Sequence, residues 1–187
     1  MVDENVKEIL RYIGEDPDRP GLQETPRRLI KALLEMTTGY HKDPDAILSR
    51  TFPQDVPYEG IVLLRNIEFV SLCEHHMLPF VGRADIAYIP KIGGRIVGIS
   101  KLARVLDVYA KRLQVQERLT TQIADAIEKA LDPDGVAVII KATHQCMTCR
   151  GVEKRNPEMV TSVMRGAFFD DSNARRELTD LIQYGKD

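Results

Sequence analysis

The sequence predicts an α+β domain with a largely antiparallel sheet, preceded by a short helical segment. Helical periodicity marks the first forty residues, β-branched runs broken by Pro and Gly fill much of the remainder, and a pair of helical stretches separates these runs into two groups. The 187 residues are 43% hydrophobic and 29% charged, as in an ordinary globular chain. We expect a helical segment over residues 1–45 and one main domain over residues 46–187.

Two helices are predicted in the first segment. The first follows from apolar residues at helical spacing, with Asp3 as its cap: Val6, Ile9, Leu10 and Ile13. Thr25 and Pro26 predict the cap and first residue of the second helix, and Gly39 predicts its end.

Two groups of strands are predicted in the main domain. The runs of the first group are 61–72, 83–89 and 95–99. The runs of the second group, which we expect to form a hairpin, are 135–146 and 161–170. Between the groups, Ser100 predicts the cap of a helix over 100–112, and an apolar stripe predicts a second helix over 115–131. Ser172 predicts the cap of a final helix.

Composition excludes several classes of protein. A net charge of −2 argues against a general nucleic-acid binder, which would normally carry a basic excess. The acidic N-terminus lacks the apolar core of a signal peptide, and the longest apolar run, 136–140, is too short to span a bilayer. We therefore expect a cytoplasmic protein with no nucleic-acid or membrane partner. Three cysteines in such a chain favour metal binding or catalysis over disulfides.

The cysteines and three of the histidines fall in two short clusters. Cys73 and His76 are three residues apart, a spacing that lets a tight turn present both to one metal ion. The downstream cluster holds His144, Cys146 and Cys149. If the strand continues to residue 146, then His144 and Cys146 point to the same face. Mixed sulfur and nitrogen ligands favour zinc.

Spacing alone leaves two kinds of zinc site open. Four protein ligands would close the site and make it structural: Cys73, His76, Cys146 and Cys149. Three ligands would leave a position for water and make it catalytic. The histidines that remain, His75 and His144, favour the catalytic site because they could transfer protons beside the metal.

Basic residues at helical spacing suggest contacts to phosphate. Lys101 and Arg104 share a face near the start of a helix, where the helix dipole also favours an anion. Arg28 and Lys31 have the same spacing, and Arg150 follows the downstream cluster. Pairs of this kind are also common on solvated helix faces.

Gln116 and Glu117 open the second helix of the main domain, where polar residues are ordinary. A carboxylate at this place could also accept the N1–H and 2-amino donors of a guanine.

Five motifs together resemble the GTP cyclohydrolase I family, over about residues 24 to 169. They are residues 24–28 (ETPRR), 71–76 (SLCEHH), 98–104 (GISKLAR), 114–120 (QVQERLT), and 144–146 (HQC) followed by Arg150-Gly151. The resemblance implies the tunnelling fold, in which subunits join their sheets into a barrel. It also implies a toroidal homodecamer with active sites between subunits, an arrangement that would pair the free edges of a single small sheet.

The resemblance further implies a reaction. GTP and water would give 7,8-dihydroneopterin triphosphate and formate, the first step of folate and pterin biosynthesis. Cys73, His76 and Cys146 would hold zinc, which makes attack by water at C8 of the purine feasible near neutral pH. His144 would protonate N7, and His75 matches the second catalytic histidine of the family.

The family pattern also assigns the substrate contacts. Gln116 and Glu117 match the guanine-recognition positions, and Ser100 lies near the ribose. The remaining positions match triphosphate contacts, of which the last two would come from a neighbouring subunit: Lys101, Arg104, Arg150, Arg28 and Lys31. Cys149 occupies a position where many members carry a residue that cannot bind zinc.

Two other functions are compatible with parts of the sequence. One is another tunnelling-fold enzyme that acts on a pterin or a deazapurine, although such enzymes lack the combination of the 71–76 and 98–104 motifs. The other is a non-catalytic protein whose four-ligand zinc site supports binding to a partner or RNA, which the net charge of −2 disfavours.

Overall fold

The structure is a computed structural model that describes residues 2–184. The outermost residues of the two predicted segments, Met1 and 185–187, lie outside this range. The chain divides into two compact units between Thr38 and Gly39. No helix within the described residues is long and apolar enough to cross a membrane.

The first unit contains two helices that pack on each other, α1 (Val2–Tyr12) and α2 (Thr25–Met36). Asp3 lies inside the first turn of α1 instead of capping it, where a negative charge still stabilises the helix end. Glu24 takes the cap position of α2, because the N–H of Thr25 already donates to the Leu22 carbonyl at 3.0 Å. The helix ends before Gly39, which was predicted as its terminator.

The second unit opens with a 3₁₀ turn that begins at the unit boundary (Thr38–His41). Its helices are α3 (Pro44–Leu48), α4 (Ile99–Ala110), α5 (Gln116–Leu131), α6 (Gln145–Thr148), α7 (Ala167–Asp170) and α8 (Ser172–Gln183). Its strands are β1 (Thr51–Pro53), β2 (Val62–Cys73), β3 (Pro79–Ile89), β4 (Arg95–Val97), β5 (Leu113–Gln114), β6 (Gly135–His144) and β7 (Met159–Gly166).

The main sheet has five strands in the order β5-β2-β3-β6-β7, and β1 pairs with β4 in a separate small sheet. Every pairing in the main sheet is antiparallel except the short parallel contact of β5 with β2. The predicted α+β class with a largely antiparallel sheet is therefore confirmed. In register, Leu72 pairs with Pro79 and Phe80 pairs with His144, so β2 ends, β3 begins and β6 ends at the same side of the sheet.

Helices α4 and α5 cover one face of the sheet and form the main core with it. Side chains such as Ile86, Val138 and Leu106 are completely buried there, and each contributes about 1.5–3 kcal/mol by leaving water. A second cluster, around Phe168 and Leu178 of the C-terminal helices, covers part of the opposite face. The sheet is thus fixed from both sides.

Several predicted boundaries were wrong by one to four residues. Gly98 caps α4 in place of Ser100, since the helix begins directly after β4. Asp171 caps α8 in place of Ser172, because its carboxylate accepts the Asn173 N–H at 2.8 Å. Strand β7 ends at Gly166, and the predicted continuation to residue 170 is a helical turn.

Strand β6 is two residues shorter than predicted. This strand ends at His144, and Cys146 lies in the one-turn helix α6. His144 and Cys146 therefore do not share a strand face as predicted, because the backbone turns between them.

Candidate active site

A tight turn after β2 presents the first two metal-ligand candidates. The Cys73 N–H donates to the Leu78 carbonyl at 2.9 Å, and the Met77 N–H donates to the Cys73 carbonyl at 2.8 Å. Met77 has a φ of 53°, in the left-handed region, which lets the chain reverse in so few residues. The turn brings His76 back beside Cys73, as the three-residue spacing predicted.

Cys146 approaches this turn from α6, on the other side of β3. The ligand atoms of Cys73, His76 and Cys146 all lie within 4.8 Å of one another. Cys73 is buried, Cys146 is half-buried and His76 is exposed. The Cys73 Sγ lies 4.0 Å from the His76 Nδ1. These three side chains are called the ligand cluster below.

The ligand cluster fits a tetrahedral metal ion such as zinc. Zinc bonds of about 2.3 Å to sulfur and about 2.0 Å to nitrogen place neighbouring ligands roughly 3.5–3.8 Å apart. Small side-chain rotations would bring the donors from their present separations to these values. Burial and the adjacent Cys73 thiol raise the pKa of Cys146, and a bound cation would offset both causes.

Cys149 does not belong to the ligand cluster. Its exposed Sγ donates to the Gln145 carbonyl at 2.9 Å, at the end of α6. The candidate donors that lie together are therefore Cys73, His76 and Cys146, a number that is compatible with a site open to a further ligand.

His144 lies at the end of β6, and its ring contacts two other side chains. Its ring stacks on Phe80, with centroids 4.6 Å apart and planes inclined by 2°. Its Nε2 lies 2.9 Å from the Gln116 Oε1. Burial lowers the pKa of His144, while the negative charge of Glu117 acts in the opposite direction.

His75 is the exposed neighbour of the ligand cluster. Its Nδ1 lies 3.9 Å from the Cys73 Sγ, and its Nε2 lies 4.0 Å from a Glu74 carboxylate oxygen. Glu74 in turn forms an ion pair with Arg118, whose hydrogen bond lowers the pKa of Glu74. Arg118 also donates to the Gln114 Oε1 at 3.0 Å and so ties the turn to the start of α5.

Two further predicted residues lie on this side of the sheet. Arg150 is exposed, and its Nη1 is 3.3 Å from the His76 Nε2. Glu117 is exposed at the start of α5, next to the buried Gln116. The structure thus assembles a metal-ligand group, two histidines, an arginine and a carboxylate within one chain.

Ser100 and Lys101 lie elsewhere in the same chain. The N–H of Val97, just before α4, donates to the Tyr88 hydroxyl at 3.5 Å, and Tyr88 pairs with Val62 at the start of β2. Leu113, just after α4, pairs with Leu72 at the end of β2. The 12 residues of α4 therefore run about 18 Å alongside β2, and begin at the end of the strand opposite to Cys73.

Arg104, one turn further along α4, is exposed and lines a surface cavity with Lys42 and Asp107. One chain therefore does not bring the start of α4 to the ligand cluster. Arg28 and Lys31 lie exposed on α2 in the first unit, where Lys31 is 3.8 Å from Glu35. Their relation to the ligand cluster stays a prediction.

Sequence reasoning did not identify Phe80, Glu74 or Arg118 as parts of the site. The only sequence signal for Phe80 was its position shortly after the 71–76 motif. It was missed because the strand was predicted to start at residue 83, whereas β3 starts at Pro79. Arg118 is 44 residues from Glu74, and no local pattern connects them.

Comparisons with known proteins identify the family of the chain. The sequence profile of the family described as GTP cyclohydrolase I matches residues 2–183. A relative from Coxiella burnetii, named GTP cyclohydrolase 1, is 53% identical over 181 residues, or 96% of each chain. A relative of the same name from Dehalococcoides mccartyi is 49% identical over 98% of this chain and 96% of its own length. Another, from Parabacteroides distasonis, is 49% identical over 96% of this chain and 90% of its own length.

Among solved structures, an archaeosine synthase QueF-Like in the apo form overlaps 58% of this chain and 96% of its own, with a TM-score of 0.47 and 19% identity. The family assignment does not depend on that distant similarity. A profile that spans nearly every residue, and relatives at about half identity over almost their whole length, are sufficient. The chain belongs to the GTP cyclohydrolase I family of enzymes.

Proposed function

We propose that this chain is a zinc-dependent GTP cyclohydrolase that converts GTP and water to 7,8-dihydroneopterin triphosphate and formate, the first step of folate and pterin biosynthesis. One observation carries the proposal within the family: a three-donor ligand cluster lies beside two histidines that are not part of it. A purely structural zinc site would use a fourth protein ligand and would need no adjacent proton carriers.

Cys73, His76 and Cys146 would hold the zinc. When bound, zinc would act as a Lewis acid and lower the pKa of water. His144, stacked on Phe80, would deliver a proton to N7 of the purine as the imidazole ring opens. His75 would carry protons in the later rearrangement, and its exposed position lets it exchange them with solvent.

Glu117 is the best-placed residue for guanine recognition. Its carboxylate is exposed at the start of α5 and close enough to His144 to influence its pKa. A guanine offers N1–H and the 2-amino group on one edge, and a carboxylate can accept both. The base would then lie between Glu117 and the ligand cluster.

The triphosphate needs several cations, because it carries about four negative charges near neutral pH. Arg150 stands beside His76 and would bind it within the chain. Ser100, Lys101 and Arg104 begin at the far end of β2, so we infer that a neighbouring copy supplies them to the ribose and the phosphates. Arg28 and Lys31 would also come from a neighbour, as the family pattern implies.

A ring of copies would let each ligand cluster receive these residues from a neighbouring copy. Strands β5 and β7 are the edges of the sheet, and pairing between copies would cover their free backbone groups. We propose the closed barrel and the toroidal homodecamer implied by the family pattern. In such a ring, the start of α4 in one copy, which carries Ser100 and Lys101, would approach the ligand cluster of the next copy.

The first expected result concerns substrate choice. Zinc-loaded protein should release formate from GTP, more slowly from ITP, and very slowly from ATP. ITP lacks the 2-amino donor, and ATP lacks both that donor and N1–H, so the Glu117 carboxylate would lose one or both of its partners. Formate and the fluorescence of the oxidised pterin measure turnover. Equal rates with GTP and ATP would contradict the role of Glu117.

The second expected result concerns sharing of the site. A chain with Arg28→Ala and a chain with His144→Ala should each be nearly inactive alone but regain activity when refolded together. Some sites in the mixed ring would then receive their histidines from one chain and their arginine from the other. The matched control mixes His75→Ala with His144→Ala chains, which cannot build an intact site because both defects lie beside the same ligand cluster. Activity of a monomer in sedimentation would contradict a shared site.

A further inference from the structure

We propose that Gln116 is a positioning residue for His144: its side chain holds the imidazole with Nε2 toward Gln116, so that Nδ1 is the ring nitrogen that faces the substrate. The inference rests on the proposed function, in which His144 is the acid. It differs from the contact between Gln116 and guanine that the sequence predicted.

The side chain of Gln116 is only 1% exposed and is bonded at both ends of its amide. The amide nitrogen donates to the Ile140 carbonyl at 3.0 Å, the Met159 carbonyl at 3.0 Å and the Thr161 hydroxyl at 3.1 Å. The amide oxygen lies 2.9 Å from the His144 Nε2. The amide is therefore buried and already bonded, and it presents almost no surface to a base.

These contacts fix which end of the amide faces the histidine. Two of the three groups around the amide nitrogen are backbone carbonyls, which can only accept hydrogen bonds. A flipped amide would place its oxygen against both carbonyls, with no hydrogen between the acceptors, and a hydrogen bond lost in a buried place costs about 1–3 kcal/mol. The oxygen of Gln116 must therefore face His144.

The orientation of the amide determines the chemistry of the ring. An amide oxygen accepts only, so the His144 Nε2 must carry a hydrogen whether the ring is neutral or charged. Nδ1 is then the ring nitrogen that points away from Gln116. Stacking on Phe80 fixes the plane of the ring, and the Gln116 bond fixes its rotation within that plane. Both constraints hold Nδ1 in one direction before substrate arrives.

Gln116 and Glu117 are adjacent on α5 but would have different roles. Glu117 is exposed and would bind the base, whereas Gln116 is buried and would act only through His144. Loss of a base contact weakens binding in the ground state and raises KM. Loss of a positioning residue misplaces the proton donor and lowers kcat.

The test combines kinetics with NMR of ¹⁵N-histidine-labelled, zinc-loaded protein, in the solid state so that assembly size does not limit it. The chain has four histidines, and His144→Ala identifies the signals of residue 144. In the unmodified protein, His144 should show a protonated Nε2 with a slowly exchanging hydrogen. In Gln116→Met that slow exchange should be lost, and kcat should fall by about 10- to 100-fold with KM for GTP little changed.

Thr161→Val is the matched control. It removes one of the three acceptors around the Gln116 nitrogen and a hydroxyl contact with Thr120, but leaves two carbonyls for the two N–H groups. Stability should fall while the slowly exchanging His144 signal remains. This control separates loss of the His144 contact from general loosening of the strands.

Two outcomes would overturn the proposal. One is an unmodified protein in which Nδ1 carries the hydrogen and Nε2 does not, a measurement that needs no variant to fold. The other is a Gln116→Met protein that has an increased KM and an unchanged kcat. Failure of the proposed function would look different, since the unmodified protein would then release no formate from GTP whatever the NMR signals showed.

Discussion

Replacing Cys146 with alanine is expected to remove bound zinc and formate release together, whereas replacing Cys149 is expected to remove neither. Cys146 supplies one of three donors that lie within 4.8 Å of one another, and two donors rarely hold zinc in a protein. Cys149 is exposed, and its sulfur is bonded to the Gln145 carbonyl. Zinc content should therefore fall from about one ion per chain to near zero only in Cys146→Ala.

The two variants form a matched pair, because both change a cysteine to alanine, one within α6 and one directly after it. Metal content by mass spectrometry and formate release from GTP are measured for both. Retention of zinc by Cys146→Ala together with its loss in Cys149→Ala would show that the ligand assignment is wrong at the downstream cluster. Loss of zinc in both would indicate the closed site with four protein ligands.

The ligand cluster was predictable where its residues are close in sequence. Cys73 and His76 belong to one turn, and their spacing alone determines that they can meet. The choice between Cys146 and Cys149 was not predictable from spacing, because it depends on where β6 ends. The strand pattern suggested an end at residue 146, but the backbone turns after His144.

The role proposed for Gln116 was beyond sequence reasoning for a different reason. Its partners are backbone carbonyls of β6 and β7 and a histidine 28 residues away. No periodicity in the sequence encodes such contacts, since they arise only when α5 packs on the sheet. The motif suggested a polar helix start that faces a ligand, yet the first of its two polar residues faces inward.

The direction of α4 is also a property of the tertiary structure. The sequence correctly predicted a helix carrying Lys101 and Arg104, but not that its start lies at the far end of β2 from Cys73. Local patterns place residues on a helix face, whereas the pairing of strands decides which end of the sheet that face approaches. This separation within one chain is the structural argument for a site completed by a neighbour.

Replacing His144 with alanine is expected to lower kcat by about 10²- to 10⁴-fold, the range over which a positioned acid or base contributes to catalysis. Zinc content should stay unchanged, because His144 is not in the ligand cluster. The ring is stacked on Phe80 and bonded to Gln116, so its loss should leave a cavity next to the ligand cluster without removing a metal ligand.

The control for this variant is His41→Ala. His41 is exposed in the 3₁₀ turn at the start of the second unit and has no part in the proposed site, so its replacement should leave turnover unchanged. Formate release and metal content are measured for both variants. Loss of zinc in His144→Ala would place His144 among the metal ligands, and turnover close to that of His41→Ala would remove it from the proposed chemistry. Loss of turnover with zinc retained is the result that the geometry predicts, since the proton donor would be absent while the metal remains in place.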